Sequence, residues 1–266
     1  MIRLLLRLLL LALAAVAALG AWVFVGLPSR SGVRALAERN PPKTRLMAQR
    51  EEEARAAGRR PRAIQQPVPL SAVSRHLIHA VIASEDQAFF GHEGVDWKAI
   101  EESIRRDVKK RSFARGGSTI TQQLAKNLYF GTAKTPVRKL RELVVARWLE
   151  ADLTKARILA LYLNVIEWGD GVYGCEAAAR RWYGKPASAL SETEAAGLAA
   201  MIPNPRRINP RVSPARHERA TRRVLWLMAL AGYVGRDVAG LGAEPPAETA
   251  EDAAEAGADL PPPPEP

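Results

Sequence analysis

The 266 residues, 47% apolar and 25% charged, are enough for one substantial globular core or two small domains. The formal charge is +11, yet the stretch from Ala243 to Pro266 holds seven acidic residues and no basic ones, so residues 1–242 carry +18, the +11 with those seven charges set aside. Such an excess suits nucleic acid, anionic lipid or a phosphorylated substrate, and a single cysteine, Cys175, excludes an intrachain disulfide.

The first predicted element is an anchor. Leu8 to Leu27 is a run of 20 residues without a charge, enough at about 1.5 Å per residue to cross the roughly 30 Å hydrocarbon core of a bilayer. A cleavable signal needs an apolar core of only about 7 to 15 residues, so an uncleaved transmembrane segment is expected over residues 1–27, although Ala35-Leu36-Ala37 would suit cleavage. Arg3 and Arg7 precede the run and keep that end cytoplasmic, which sends the remainder across the membrane. The expected location is therefore a bacterial cytoplasmic membrane, single-pass, with an extracytoplasmic bulk. That address excludes nucleic acid as a partner.

Residues 28–69 are rich in charge and proline and read as a juxtamembrane connector with room for one short helix. Residues 70–240 then show helical spacing. SAVSRHLIHAVIAS places Val73, Leu77 and Val81 four apart, and KLRELVVARWLEADL, KARILALYLNVI, SETEAAGLAAMI and RATRRVLWLMALAG repeat the period. Alternating strand patterns are nearly absent, so the fold class is mostly α. Residues 241–266, Ala- and Pro-rich and acidic, lack large apolar groups to bury and are expected to be disordered. Cys175 sits among alanines and reads as a small buried residue.

Three clusters carry chemistry. In ASEDQAFFGHEGVDW, Glu85 and Asp86 stand between an apolar helix and a glycine-rich loop, where burial would raise a carboxyl pKa and suit it to general-base work. A solvated helix-terminal acidic pair is the plainer alternative. His92 lacks a second ligand at a metal-binding spacing, and His76 with His79 lacks a third.

In RGGSTITQQLAKN the adjacent glycines lack the Lys-Ser/Thr of a nucleotide P-loop, so no nucleotide is expected. The spacing instead predicts a helix with Thr119 as N-cap and Gln122 closing a capping box. Ile120, Leu124 and Leu128 share one face, and Thr119, Gln123 and Lys126 share a polar one. The free N–H groups of that helix start would suit an anion. In KTPVRKLRELVVARWLE, Arg138 and Glu142 have the spacing of an ordinary surface pair, yet Lys134, Arg138, Lys139, Arg141 and Arg147 crowd one segment, a density that suits a diphosphate.

Together these clusters resemble the monofunctional biosynthetic peptidoglycan glycosyltransferases, the family that also supplies the transferase domain of bifunctional penicillin-binding proteins. The first motif, EDxxFxxHxGxD, falls on Glu85, Asp86, Phe89, His92, Gly94 and Asp96. The second is GGSTITQQLAKN, and the third, RKxxE, falls on Arg138, Lys139 and Glu142. KARILALYLNVIEWGDGVYG and LSETEAAGLAAMIPNP follow in order. Ala160 departs from the glutamate common in the family's ILExYLN, which points to altered packing or a local salt bridge there.

The resemblance implies a lysozyme-like, two-lobed glycosyltransferase domain preceded by one transmembrane helix. It implies polymerisation of lipid II into β-1,4 glycan with inversion, the donor being the growing glycan on undecaprenyl diphosphate, and no transpeptidase activity. Glu85 is then the general base and Glu142 organises the diphosphate or a divalent ion, Mg or Mn. Arg138, Lys139 and Lys126 offset the leaving charge, while Ser118, Thr119, Gln122, Gln123 and Asn127 position diphosphate and sugars. Asp86, Phe89 and His92 join the substrate-binding set, and other cell-wall synthesis proteins are candidate partners. A glycan hydrolase on the same fold and an inactive membrane scaffold are the competing readings.

Overall fold

The computed structural model describes residues 2–98, 100–101 and 117–239. The acidic tail expected to be disordered lies outside the described residues, as do Arg115 and Gly116 of the glycine-rich stretch.

Helix α1 (Ile2–Val25) is exposed along nearly its whole length. It starts before the uncharged run and takes in Arg3 and Arg7. Among the described residues it is the one helix long and apolar enough to cross a membrane, over Arg3–Val25. A short helix, α2 (Arg30–Arg34), follows, and then α3 (Arg45–Ala56), capped by the Thr44 side chain.

The core is helical where the periodicity predicts it. α4 (Arg75–Glu85) buries Leu77 and Val81 completely and begins where the Ser74 hydroxyl accepts from the His76 N–H. After α5 (Ile120–Ala125), the helix predicted from Thr119, come α6 (Pro136–Asp152) and α7 (Lys155–Val165). α6 opens on a Thr135 cap with Pro136 in its first turn, and α7 opens on a Thr154 cap. α9 (Glu192–Met201) carries a complete capping box between Ser191 and Glu194, and α10 (Pro214–Leu230) is the last helix among the described residues.

Periodicity did not mark α8 (Cys175–Tyr183), a short Ala-rich helix that ends at Gly184 in the left-handed conformation. Cys175 is buried there, and burial pushes its thiol up to about 12, so it stays a neutral packing residue. Three minimal strands, β1 (Ile64–Gln65), β2 (Glu167–Gly169) and β3 (Val172–Tyr173), form a sheet in the order β1-β3-β2, parallel then antiparallel.

Two packing groups share one hydrophobic core. α9 packs chiefly on α10 and α4, while α5 packs on α6 and α7. Trp168, Tyr162 and Phe89 are among the largest fully buried side chains. Ala160 is also buried, at 8% exposure, where a glutamate would bring a charge into the interior.

Candidate active site

The site is built where the end of α4, the start of α5 and the first half of α6 converge. Glu85 is the last residue of α4 and is half-buried. Gln123 of α5 donates from Nε2 to Glu85 Oε2 at 2.7 Å, and its Oε1 accepts from the Tyr162 hydroxyl at 2.9 Å. Tyr162 is fully buried; burial, with the nearby Glu85 and Asp86 charges, holds its phenol well above the usual range, so it remains a donor.

Asp86, expected in the substrate-binding set, makes its contacts here within the protein. It is buried, its Oδ2 accepts from the Ile120 N–H at 3.0 Å, and both its oxygens lie 3.0 Å from His92 Nε2. Because His92 Nδ1 accepts from the Gly94 N–H at 3.0 Å, Nε2 carries the ring proton and donates to Asp86. Burial pushes the Asp86 carboxyl up, and the His92 and Ile120 donors oppose that. The start of α5 thus already holds an anion, its neighbour's carboxylate, which corrects the expectation that its N–H groups await a phosphate.

Thr119 and Gln122 are likewise turned inward. The Thr119 hydroxyl accepts from the Gln122 N–H at 3.2 Å and donates to the Gly94 carbonyl at 2.7 Å. The predicted N-cap therefore stands, but the capping box does not close: the Gln122 side chain donates to Gly94 O at 3.2 Å and accepts from Lys139 Nζ at 2.8 Å. Gly94 can serve as the pivot because its φ of +87° favours glycine, and a Cβ there would crowd Glu150 and the Ala146 carbonyl. Phe89 is fully buried, with Lys155 Nζ 4.5 Å above its ring, so it supports the loop from below instead of facing a substrate.

The third cluster meets the second through Lys139. Its Nζ donates to Ser118 Oγ at 2.7 Å and lies 3.8 Å from Glu142 Oε2. Arg138 pairs with Glu142 one helical turn away, and at 2% exposure Glu142 is far from the surface pair that its spacing allows. Burial pushes the Glu142 carboxyl up against the pull of Arg138, Lys139 and Lys126, and burial pulls the Lys139 ammonium down.

Lys126, Asn127, Lys134 and Arg138 line a cleft of about 150 Å³, and so does Gln123, the donor to Glu85. Lys126 starts a five-residue π-turn, Lys126–Phe130, that continues α5 and ends at Gly131, φ +70°. Such turns shift the register of a helix face and recur at functional sites. Two of the five cations counted toward a diphosphate are engaged elsewhere: Arg147 donates to the Glu93 carbonyl and carboxylate at 2.9 and 2.7 Å, and Arg141 to the carbonyls of Trp22 and Val23.

The family model described as Transglycosylase matches residues 52–229. The chain belongs to the transglycosylase family. Proteins named biosynthetic peptidoglycan transglycosylase are similar to it. That of Methylobacillus flagellatus is 54% identical over 141 residues, covering 53% of this chain and 62% of that protein. Those of Dechloromonas aromatica and Nitrosospira multiformis are 48% and 46% identical over 167 and 188 residues, covering 63% and 71% of this chain and 72% and 80% of theirs. Membership carries the mostly helical, lysozyme-like fold.

The transglycosylase site has contributors that its sequence did not announce. Leu46 and Arg50 of α3, within the stretch read as a connector, line the same cleft as Lys126, together with Glu167 and Arg206. Arg50 Nε pairs with the buried Glu167 at 2.9 Å, and Arg206 reaches Asp170 at 3.1 Å. No local signal joins these residues, since Arg50 and Glu167 are 117 positions apart. Tyr162 lay inside a recognised motif, but only the fold shows that it orients Gln123.

A divalent ion held by Glu142 does not fit the residues present. Mg²⁺ or Mn²⁺ is held by one or two free carboxylates, with water and substrate phosphates completing about six oxygens. Glu142 instead has Arg138 and Lys139 against its oxygens, and among the described residues no group of three or more His, Cys, Asp or Glu could hold a metal.

Proposed function

We propose that this transglycosylase polymerises lipid II, a membrane-borne sugar diphosphate, into β-1,4 glycan by a single inverting displacement. The carrying observation is a carboxylate, Glu85, held by Gln123, which lines a cleft whose walls also bear Lys126, Lys134, Arg138, Arg50 and Arg206. Glu85 takes the proton of the acceptor sugar's 4-hydroxyl as that oxygen attacks the donor's anomeric carbon. The bond from that carbon to the diphosphate oxygen breaks, and the electron pair leaves with undecaprenyl diphosphate. Attack opposite the leaving group inverts the configuration.

Lys126 and Arg138 face the diphosphate as its charge grows, fixed donors that need no reorganisation at the moment of reaction. Lys139 tethers Ser118 and Gln122 to α6, and Glu142 holds Arg138 in place, so both act by positioning cations and amides. Asn127, buried at the cleft wall, offers an amide to the diphosphate or the adjoining sugar. Helix α1 confines enzyme and polyprenyl-tailed substrates to one bilayer, which raises their encounter frequency.

A glycan hydrolase would have no leaving diphosphate for these cations to meet. Incubation of the full chain in lipid vesicles with labelled lipid II tests the reading. High-molecular-weight polymer is the expected product, whereas cleavage of preformed glycan, or no reaction at all, contradicts it.

A further inference from the structure

Arg141 lies on α6 one residue before Glu142, but it reaches away from the cleft. Its Nε donates to the Val23 carbonyl at 3.1 Å and its Nη2 to the Trp22 carbonyl at 2.6 Å. These are carbonyls of the last turn of α1, where an α-helix has no backbone donors left to satisfy them. That turn contains no basic residue of its own, so the guanidinium also supplies the positive charge that suits a helix C-terminus.

The surroundings are shaped for the contact. The guanidinium lies where a side chain at residue 26 would begin, and Gly26 leaves that space clear. Val23, unlike its neighbours in α1, is buried, at 6% exposure. At the C-terminal end of α6, Asp152 accepts from Arg30 at 3.0 Å and from Arg34 at 3.4 Å, and Arg30 lies 5.2 Å above the Trp148 ring. The end of α1 and all of α2 are thus clipped along α6, which also carries Arg138, Lys139 and Glu142.

We propose that Arg141 is a positioning residue that locks α6 to the end of the membrane helix, setting the depth and tilt at which the cleft meets a bilayer-borne diphosphate. The proposal rests on the membrane and lipid-substrate reading above. It adds that the anchor is a geometric reference for the site as well as a tether. A flexible tether would leave the cleft free to tilt; two forked hydrogen bonds in the first half of α6 and a paired aspartate at its last residue would not. Misplacement of a reacting group by about 1 Å can cost on the order of 100-fold in rate.

The test uses the full chain with Arg141→Met, Arg141→Lys and Gly26→Leu. Gly26→Leu displaces the guanidinium from outside the catalytic domain, so it separates the latch from any effect on α6 itself. Activity is measured with long-chain lipid II in vesicles and with a short-chain, water-soluble analogue in micelles. A nitroxide on Ala151→Cys, an exposed position of α6, reports depth against a lipid-phase quencher.

Arg141→Met and Gly26→Leu are expected to lose on the order of tenfold activity in vesicles, to keep wild-type rates on the short-chain analogue, and to broaden the depth distribution. Arg141→Lys should recover only part, because an ammonium lacks the planar fork. Unchanged depth in both latch variants overturns the proposal, as does equal loss on the two substrates. Wild type inactive on both substrates would contradict the lipid II reading, while the depth measurement would still decide the latch.

Discussion

Gln123 donates to Glu85 at 2.7 Å with an amide whose orientation is set from behind, since its oxygen accepts from the buried Tyr162 hydroxyl at 2.9 Å. An ionised Glu85 can only accept, so it takes the amide nitrogen and leaves the amide oxygen to accept from the Tyr162 hydroxyl. Glu85 therefore receives a donor with one fixed direction.

Removing the outer member of that relay tests whether orientation matters. Tyr162→Phe should lower kcat by about 10- to 100-fold, with KM nearly unchanged, because the carboxylate is retained but its aim is lost. The unpaired Gln123 oxygen should cost about 1 kcal/mol of stability. Steady-state kinetics and urea unfolding of the same preparation measure both; unaltered kcat would leave Gln123 oriented by other means.

Asp86 is predicted to act through structure. Asp86→Ala strands the Ile120 N–H and His92 Nε2 together, and a loss of about 1 to 3 kcal/mol is expected. Asp86→Asn keeps one oxygen to accept from Ile120, so it should recover much of the stability and a corresponding share of the activity. Thermal unfolding of both variants beside their polymerisation rates checks this. Full stability in Asp86→Ala with lost activity would return Asp86 to direct substrate contact.

Glu142 gives a signed pH dependence. Burial raises its folded pKa above the unfolded value, about 4.3 for a glutamate. Its contribution to stability is therefore fully present below that unfolded value and is lost as pH rises through the folded one. Glu142→Gln removes this titration. The stability of wild type minus that of Glu142→Gln should fall as pH increases from about 4 toward neutrality. Denaturant unfolding across that range measures the difference, and an increase with pH would show that the ion pairs outweigh burial.

What could be read from the sequence follows from the range of the interactions. Leu77 and Val81 announced α4, although Val73 falls in extended backbone before the Ser74 cap, and Thr119 announced the start of α5, because spacing and caps are local. The face of Ile120, Leu124 and Leu128 is buried as its period required. Composition counted Arg141 and Arg147 among the diphosphate cations but carried no direction for them, and their partners lie 119 and 54 residues away. Glu142 has the spacing of a surface pair, and only tertiary packing buries it. The anion at the start of α5 is Asp86, 34 residues upstream of the N–H it accepts from, so the helix end looked free. Leu46 and Arg50 fell in a stretch whose charge and proline content concealed a cleft wall.

Whether Glu85 is the base is decided by Glu85→Gln in the vesicle assay with labelled lipid II. Glutamine keeps the shape and can still bond Gln123, but it cannot take a proton. The expected result is no detectable polymer from a variant whose unfolding transition and lipid II binding match wild type. Near-wild-type polymerisation by that folded variant would contradict the account.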